Sequence, residues 1–303
     1  MSQVHVWQNR MDLHRQFLRD DSRNNAYAAA IARAVKPGMT VLDVGSGTGV
    51  WACVAARAGA KRVVAVEFSD IVEQTRITVK RNGFEGIVEV LHADILELKL
   101  DERFDLVIHE LIGGLLYEED MITMAQHVRR HFLAPGGRIL PPKVDFWLSP
   151  WSLPNDRPLP GDWKDPVVGL DFAHLYEVER DTWSHTPAAS CIHELRDESG
   201  RLGAAIHAQE VDLETLDALA LPIFELPFVA TRSGTMTGML GYFEIKLDAE
   251  SSIKTSPLDA PTNWGQVYVR LQDTVDLVEG ARYVAVVETG HDAYTWRAQV
   301  SGG

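Results

Sequence analysis

Cysteine is scarce in this chain: Cys53 and Cys191 are the only two among 303 residues. Two thiols cannot build a disulfide framework or a structural zinc site, and the histidines are dispersed without ligand spacing, so no metal is implied. Long apolar runs are missing as well. None approaches the roughly 20 residues that a membrane span requires. The first 16 residues, MSQVHVWQNRMDLHRQ, lack the apolar core of a signal peptide. A cytoplasmic location without a membrane partner is the expectation. Basic side chains are outnumbered, 29 Lys and Arg against 43 Asp and Glu. The shortfall is uneven: residues 1–140 hold 17 basic and 18 acidic side chains, whereas 141–303 hold 12 and 25, a charge of −13. Such a body repels nucleic acid and draws in cations.

The most informative segment that is present is Val41-Leu42-Asp43-Val44-Gly45-Ser46-Gly47-Thr48-Gly49-Val50. An apolar strand ends in a turn with glycines at alternate positions, and an apolar helix follows. Glycines let the backbone pass close under a ligand, and the helix start offers unpaired N–H groups. No Lys-Ser/Thr pair follows Gly49, so the P-loop pattern fails. Asp43 just before the turn disfavours a phosphate and suits a cationic cofactor, such as the sulfonium of S-adenosylmethionine. A second apolar strand, 62–66, ends in Glu67, about 20 residues on, where a carboxylate can bind both ribose hydroxyls. A nicotinamide-dinucleotide site is the competing reading of the glycines alone.

Along the chain, residues 12–35 read as one helix, with Leu13, Phe17, Tyr27 and Ile31 near helical spacing. Short apolar strands at 41–44, 63–66, 88–92 and 106–109 alternate with helix-length segments, the pattern of a parallel doubly wound sheet. Ala134-Pro135-Gly136-Gly137 reads as a turn before a strand at 138–140. Ligands in such sheets sit at the carboxyl ends of strands, where Asp43, Glu67, Asp94 and Glu110 fall. Pro141-Pro142 marks a boundary between a first domain, 1–140, and a second, 141–303. A stretch rich in Pro and Trp comes next. From about 190 onward short alternating strands suggest a sandwich or barrel, and the Ser301-Gly302-Gly303 end reads as frayed.

After the fourth strand, Glu110 and Glu119 bracket a glycine-containing hairpin. Two carboxylates brought together there would suit a planar guanidinium with its fork of N–H donors. The alternative is that Glu118 and Glu119 are solvated acids opening a helix. His109 reads as a residue that packs or hydrogen-bonds locally.

These motifs resemble those of the protein arginine methyltransferases over nearly the whole chain. Residues 18–27, LRDDSRNNAY, are similar to the family's LKDxxRTxxY, residues 41–60 to its glycine-loop segment, and 110–119 to its double-glutamate hairpin. Thr262-Asn263-Trp264 looks like its Thr-His-Trp loop, and 163–177 resembles its dimerisation arm. The resemblance implies an α/β fold: a Rossmann-like methyltransferase domain followed by a β-barrel carrying an arm at about 150–185, in a homodimer. It implies S-adenosylmethionine as cofactor, with Arg23 on its methionine carboxylate, Asp43 near its amino group and Gly45, Gly47 and Gly49 under it. Glu67 would take the ribose and Asp94 the adenine. Glu110 and Glu119 would grip the guanidinium, Met121 would limit the methyl count, and Asp20 would face the loop of Asn263 and Trp264.

Several residues depart from that pattern. Gly114 stands in place of a tyrosine, Leu111 and Ile112 follow the first glutamate, Asn263 replaces the loop histidine, and the aromatic N-terminal cover is missing. These departures, with the acidic second domain, favour free arginine or a small guanidino compound over protein arginine. Methylation of another small metabolite is the alternative.

Overall fold

The computed structural model describes residues 10–114, 116, 118–153, 166–175, 178, 189–192, 195–216, 223–289 and 296–303. Five strands, β1 (Thr40–Val44), β2 (Arg62–Glu67), β3 (Val88–His92), β4 (Phe104–His109) and β5 (Leu133–Leu140), form one sheet in the order β3-β2-β1-β4-β5. Every neighbour in it is parallel. Val41, Leu42, Val63, Val64, Val107 and Ile108 are fully buried, which is why these strands read as unbroken apolar runs rather than alternating ones. The strand order reverses between β1 and β4. The crevice at that switch point lies at their carboxyl ends, beside Asp43 and Glu110.

Among the described residues, five α-helices complete the first part: α1 (Met11–Arg19), α2 (Asp21–Ala34), α3 (Val50–Arg57), α4 (Val72–Arg81) and α5 (Met121–His131). The single helix expected over 12–35 is two. Asp20 breaks it at φ −78°, ψ 81°, and its carboxylate accepts the Arg23 N–H at 3.0 Å as the cap of α2. The turn expected at 134–137 is part of β5. A bulge between Phe104 and Leu106 absorbs it, with Gly136 at φ +78°, and a Cβ on Gly137 would meet the Phe104 carbonyl oxygen at 2.9 Å.

The parallel sheet stops at Leu140, and a second sheet begins at Lys143, past Pro141-Pro142. Its strands are β6 (Lys143–Trp151), β7 (Ala189–Ile192), β8 (Ile206–Asp212), β9 (Ile223–Val229), β10 (Gly234–Lys246), β11 (Ser252–Lys254), β12 (Gln266–Leu277), β13 (Arg282–Thr289) and β14 (Trp296–Gly302). The main path runs β8-β6-β10-β12-β14-β13-β9, and a bridge from Gly203 to Ala230 brings its two ends together into a nearly closed barrel. Phe146, Phe224 and Trp296 pack inside it at ring distances of 6.1–6.3 Å.

Two expectations change here. Trp151 is barrel core, packed with Leu240 and Tyr268, and not part of an arm. Ser301 and Gly302 are strand residues paired with Val284 and Tyr283, not a frayed end. In the segment expected to be an arm, Val167 and Leu170 exchange two 3.0 Å backbone hydrogen bonds around Val168-Gly169, while Trp163 and Trp183 lie outside the described residues. One apolar cluster runs through both sheets. Arg33 of α2 locks them further, donating to Asp248 at 2.8 Å and Ser251 at 2.7 Å beyond β10. That contact fixes α2, which carries Arg23.

Candidate active site

The glycine loop joins β1 to α3. Gly45, Gly47 and Gly49 all have left-handed backbones, at φ +66°, +53° and +82°. At two of them space is also closed: a Cβ on Gly45 would lie 2.7 Å from Leu111 Cδ2, and one on Gly49 2.9 Å from Thr75 Cγ2. Glu67 pins the loop, accepting the Gly47 N–H at 2.8 Å on Oε2 and the Ser69 N–H and hydroxyl at 2.8 and 2.7 Å on Oε1. A carboxylate has about four acceptor sites, so one, on Oε2, remains for a ribose hydroxyl.

Asp43 lies near the carboxyl end of β1, beside the glycine loop. Its Oδ2 accepts the Ala52 N–H at 2.9 Å and ties α3 to the strand, and its Oδ1 is buried without a hydrogen-bond partner among the described residues. Burial pushes this carboxyl up to about 7, against the pull of the Ala52 N–H and with the help of the Glu67 charge. Ser46 Oγ is likewise buried without a described partner. Orphaned acceptors, a glycine cradle and acidic groups together fit a cationic cofactor that carries hydroxyls and an amine. Asp94 is half-buried at the end of β3, next to Glu67's strand, with Oδ1 accepting the Leu96 N–H at 2.9 Å. His14, which the sequence reading missed, covers the loop from α1: its ring would lie 3.7 Å from a Cβ on Gly47. Its only sequence signal is a position three residues before Phe17, whose ring it meets edge-on at 5.9 Å.

Arg23 is the hub of the site. Its buried guanidinium pairs with Glu110 (Nη1 to Oε2, 3.1 Å) and donates through Nη2 to the Phe17 carbonyl at 2.6 Å and to Asn24 Oδ1 at 3.2 Å. The Phe17 and Trp264 rings lie 5.3 and 5.6 Å from it. Within the chain, the ionic partner of Arg23 is Glu110. Burial pushes the Glu110 carboxyl up, Arg23 pulls it down, and Asp20 pushes it up again. Tyr27, stacked on Trp51 at 4.9 Å, is buried beside the pair. Burial raises its hydroxyl well above its ordinary range, and the Glu110 charge adds to that.

Asp20 faces the 262–264 loop through a backbone group: its Oδ2 accepts the Asn263 N–H at 2.6 Å. The amide side chain that replaces histidine is not the contact. Trp264 reaches the hairpin instead, donating from Nε1 to the Ile112 carbonyl at 2.8 Å. His109 is fully buried beneath the hairpin, and burial depresses it to about 4, so it is neutral at pH 7.

The hairpin itself is strained. Leu116, Glu119 and Asp120 hold left-handed backbones at φ +68°, +60° and +54°, each costing about 1–3 kcal/mol. Met121 is fully buried at the start of α5. The structure therefore gathers Arg23, Glu110, Asp20 and Trp264 at one point, whereas Glu119 is exposed on the turn leading into α5. The glycine loop and Glu67 form the adjoining half. An open groove of about 820 Å³, lined by Ile206, His207, Phe228 and Tyr283, lies elsewhere, at the barrel seam, and carries none of these groups.

A family model described as "Methyltransferase domain" matches residues 41–137. Protein arginine N-methyltransferase 6 of Danio rerio is 30% identical over 288 residues, spanning 89% of this chain and 79% of that protein. Probable protein arginine N-methyltransferase 6 of Arabidopsis thaliana is 26% identical over 311 residues, 88% of this chain and 69% of its own. Among solved structures, the Trypanosoma brucei PRMT1 enzyme-prozyme heterotetrameric complex with AdoHcy superposes with a TM-score of 0.85 at 22% identity, covering 98% of this chain and 95% of that one. The PRMT6-SAH crystal structure gives a TM-score of 0.71 at 20% identity, with 97% and 100% covered. The Rossmann-like sheet, the barrel and these similarities agree: the chain belongs to the protein arginine N-methyltransferase family and is an S-adenosylmethionine-dependent methyltransferase.

Proposed function

We propose that this chain methylates the guanidino group of a small cationic acceptor, free arginine or a small guanidino compound, ahead of arginine in a folded protein. One observation carries the guanidino part: Glu110, at the switch point of the parallel sheet, already pairs with a guanidinium, that of Arg23, at 3.1 Å. A carboxylate placed to pair with one guanidinium nitrogen suits another guanidinium. S-adenosylmethionine supplies the methyl group, activated on its sulfonium. Gly45, Gly47 and Gly49 would line its path, with Glu67 at the ribose, Asp94 toward the adenine, Asp43 near the amino group and Arg23 toward the carboxylate. Glu110 and Glu119 orient the acceptor and draw positive charge to its far nitrogens, which leaves a lone pair on the near one. Prior deprotonation, opposed by a pKa above about 12, is then unnecessary. Glu119 or water takes the proton.

Two features support a small acceptor. Gly114 opens the hairpin where the family pattern has tyrosine, and the −13 charge of residues 141–303 concentrates cations near the site. The test is a competition between free arginine and an arginine-rich peptide for radiolabelled methyl groups. Label mostly in free arginine is expected; label only in the peptide returns the reading to protein modification. Gly114 also favours a second reading, methylation of another small metabolite, which label in neither arginine nor peptide but in a small-molecule extract would select.

A cytoplasmic homodimer completes the proposal. The scarcity of cysteine supports the location, and the Val167 to Leu170 turn supports the dimer: Val168 is 94% exposed, and Val167 and Leu170 are more than half exposed.

A further inference from the structure

Arg23 is followed in α2 by Asn24, and the two side chains share one acceptor. The Phe17 carbonyl, which accepts the Asp20 N–H at 3.4 Å where α1 ends, also receives Arg23 Nη2 at 2.6 Å and Asn24 Nδ2 at 2.9 Å. Asn24 Oδ1 in turn accepts two donors from one edge of the guanidinium, Nε at 3.3 Å and Nη2 at 3.2 Å. That leaves Nη1, on the other edge, for Glu110 at 3.1 Å. A guanidinium is planar and rigid, so fixing its Nε/Nη2 edge fixes where Nη1 points. The negative end of the α1 dipole, at the Phe17 carbonyl, favours the cation in the same place.

We infer that Asn24 is a positioning residue: by clamping one edge of Arg23 it aims the other at Glu110, and so orients that carboxylate for the acceptor guanidinium. The last clause rests on the function proposed above; the clamp does not. Threonine, which stands here in the family pattern, has a single oxygen on a shorter stem. It cannot both accept two guanidinium donors and reach the Phe17 carbonyl as the amide does. The break at Asp20 makes the socket possible, because it turns the C-terminal end of α1 toward the first turn of α2.

With the clamp removed, the Nε/Nη2 edge of Arg23 keeps only the Phe17 carbonyl, the guanidinium is aimed less firmly, and Glu110 loses part of the cationic support for its charged form. The direct readout is the protonation of Glu110 in the protein without cofactor. Carbon-13 labelling of glutamate carboxyls, with the Glu110 signal identified by its loss in Glu110→Gln, gives its titration midpoint. Asn24→Ala should move that midpoint up by about half a pH unit or more, and Asn24→Thr by less. In turnover assays kcat/KM for the guanidino acceptor should fall about tenfold or more in Asn24→Ala, with the acid limb of the pH profile moving the same way. If Asn24→Ala does not fold, Asn24→Thr carries the measurement. An unchanged midpoint in the folded variants overturns the inference, including where activity falls only together with thermal stability. A wild-type protein that methylates no guanidino acceptor overturns the proposed function instead, and the carboxyl titration still decides the role of Asn24.

Discussion

Arg23 and Glu110 form an ion pair of 3.1 Å in which the arginine side chain is 4% exposed and the glutamate 19%. Arg23 comes from the second helix and Glu110 from the end of the fourth strand, so the pair closes the switch point of the sheet from above. At this burial, removing one partner strands the other, which makes the contact a sensitive place to test the site.

Cofactor affinity should depend on Glu67 and Arg23. Each offers charge-assisted hydrogen bonds, so Glu67→Ala and Arg23→Ala should each weaken S-adenosylmethionine binding by about 1.5–3 kcal/mol. Glu67→Ala also frees the Gly47 N–H that it holds at 2.8 Å. Calorimetric titration measures both, and unchanged affinity in the two variants would remove the site assignment.

Stability should carry a signature of Asp43. Its carboxyl is raised from an ordinary value near 3.8 to about 7 in the folded protein, so folding favours the protonated form. That contribution is fully present below about pH 4 and is lost as pH rises through about 7. Asp43→Asn has no such proton to lose. Relative to wild type, the variant should gain about 3 kcal/mol between pH 5 and pH 8, read from denaturant unfolding at each pH. A difference that stays constant with pH contradicts the buried-carboxyl account.

Asp20 and Asn263 should behave unequally although they touch. Asp20→Ala removes the cap on α2 and the acceptor of the Asn263 N–H, at a cost of about 0.5–2 kcal/mol. Asn263→Ala keeps its backbone N–H and should stay within about 0.5 kcal/mol of wild type. Equal losses would mean that the asparagine side chain takes part after all.

The protein should be a dimer that needs its arm. Replacing Val167, Val168 and Leu170 with serine removes the exposed apolar turn, and light scattering should then show monomers with reduced activity. A wild-type monomer with full activity would end the arm reading.

The parts of the site that were legible in the sequence are local. Asp43, the three glycines and Glu67 lie within 25 consecutive residues, and their strand–turn–helix–strand pattern is set by short-range chemistry. The first sheet was readable from its short apolar runs and the second from alternation. The helix break at Asp20 was hidden because apolar residues continue on both sides of it. Trp151 was misread because a local richness in Pro and Trp does not say which side of a barrel a strand faces. The bulge in β5 needs the Phe104 carbonyl, some 30 residues upstream, to give its glycines a reason. The partners of Arg23 and Asp20 were out of reach for the same cause. Glu110 is 87 residues from Arg23, and Asn263 is 243 residues from Asp20.

The central claim is that a carboxylate at the end of β4 drives methyl transfer to a guanidino nitrogen. Its most direct test is turnover by Glu110→Gln, followed by mass spectrometry of the acceptor with cofactor affinity measured alongside. An amide keeps the shape and loses the charge, so kcat should fall by about 10²-fold or more while S-adenosylmethionine still binds. Wild-type turnover in Glu110→Gln would contradict the account.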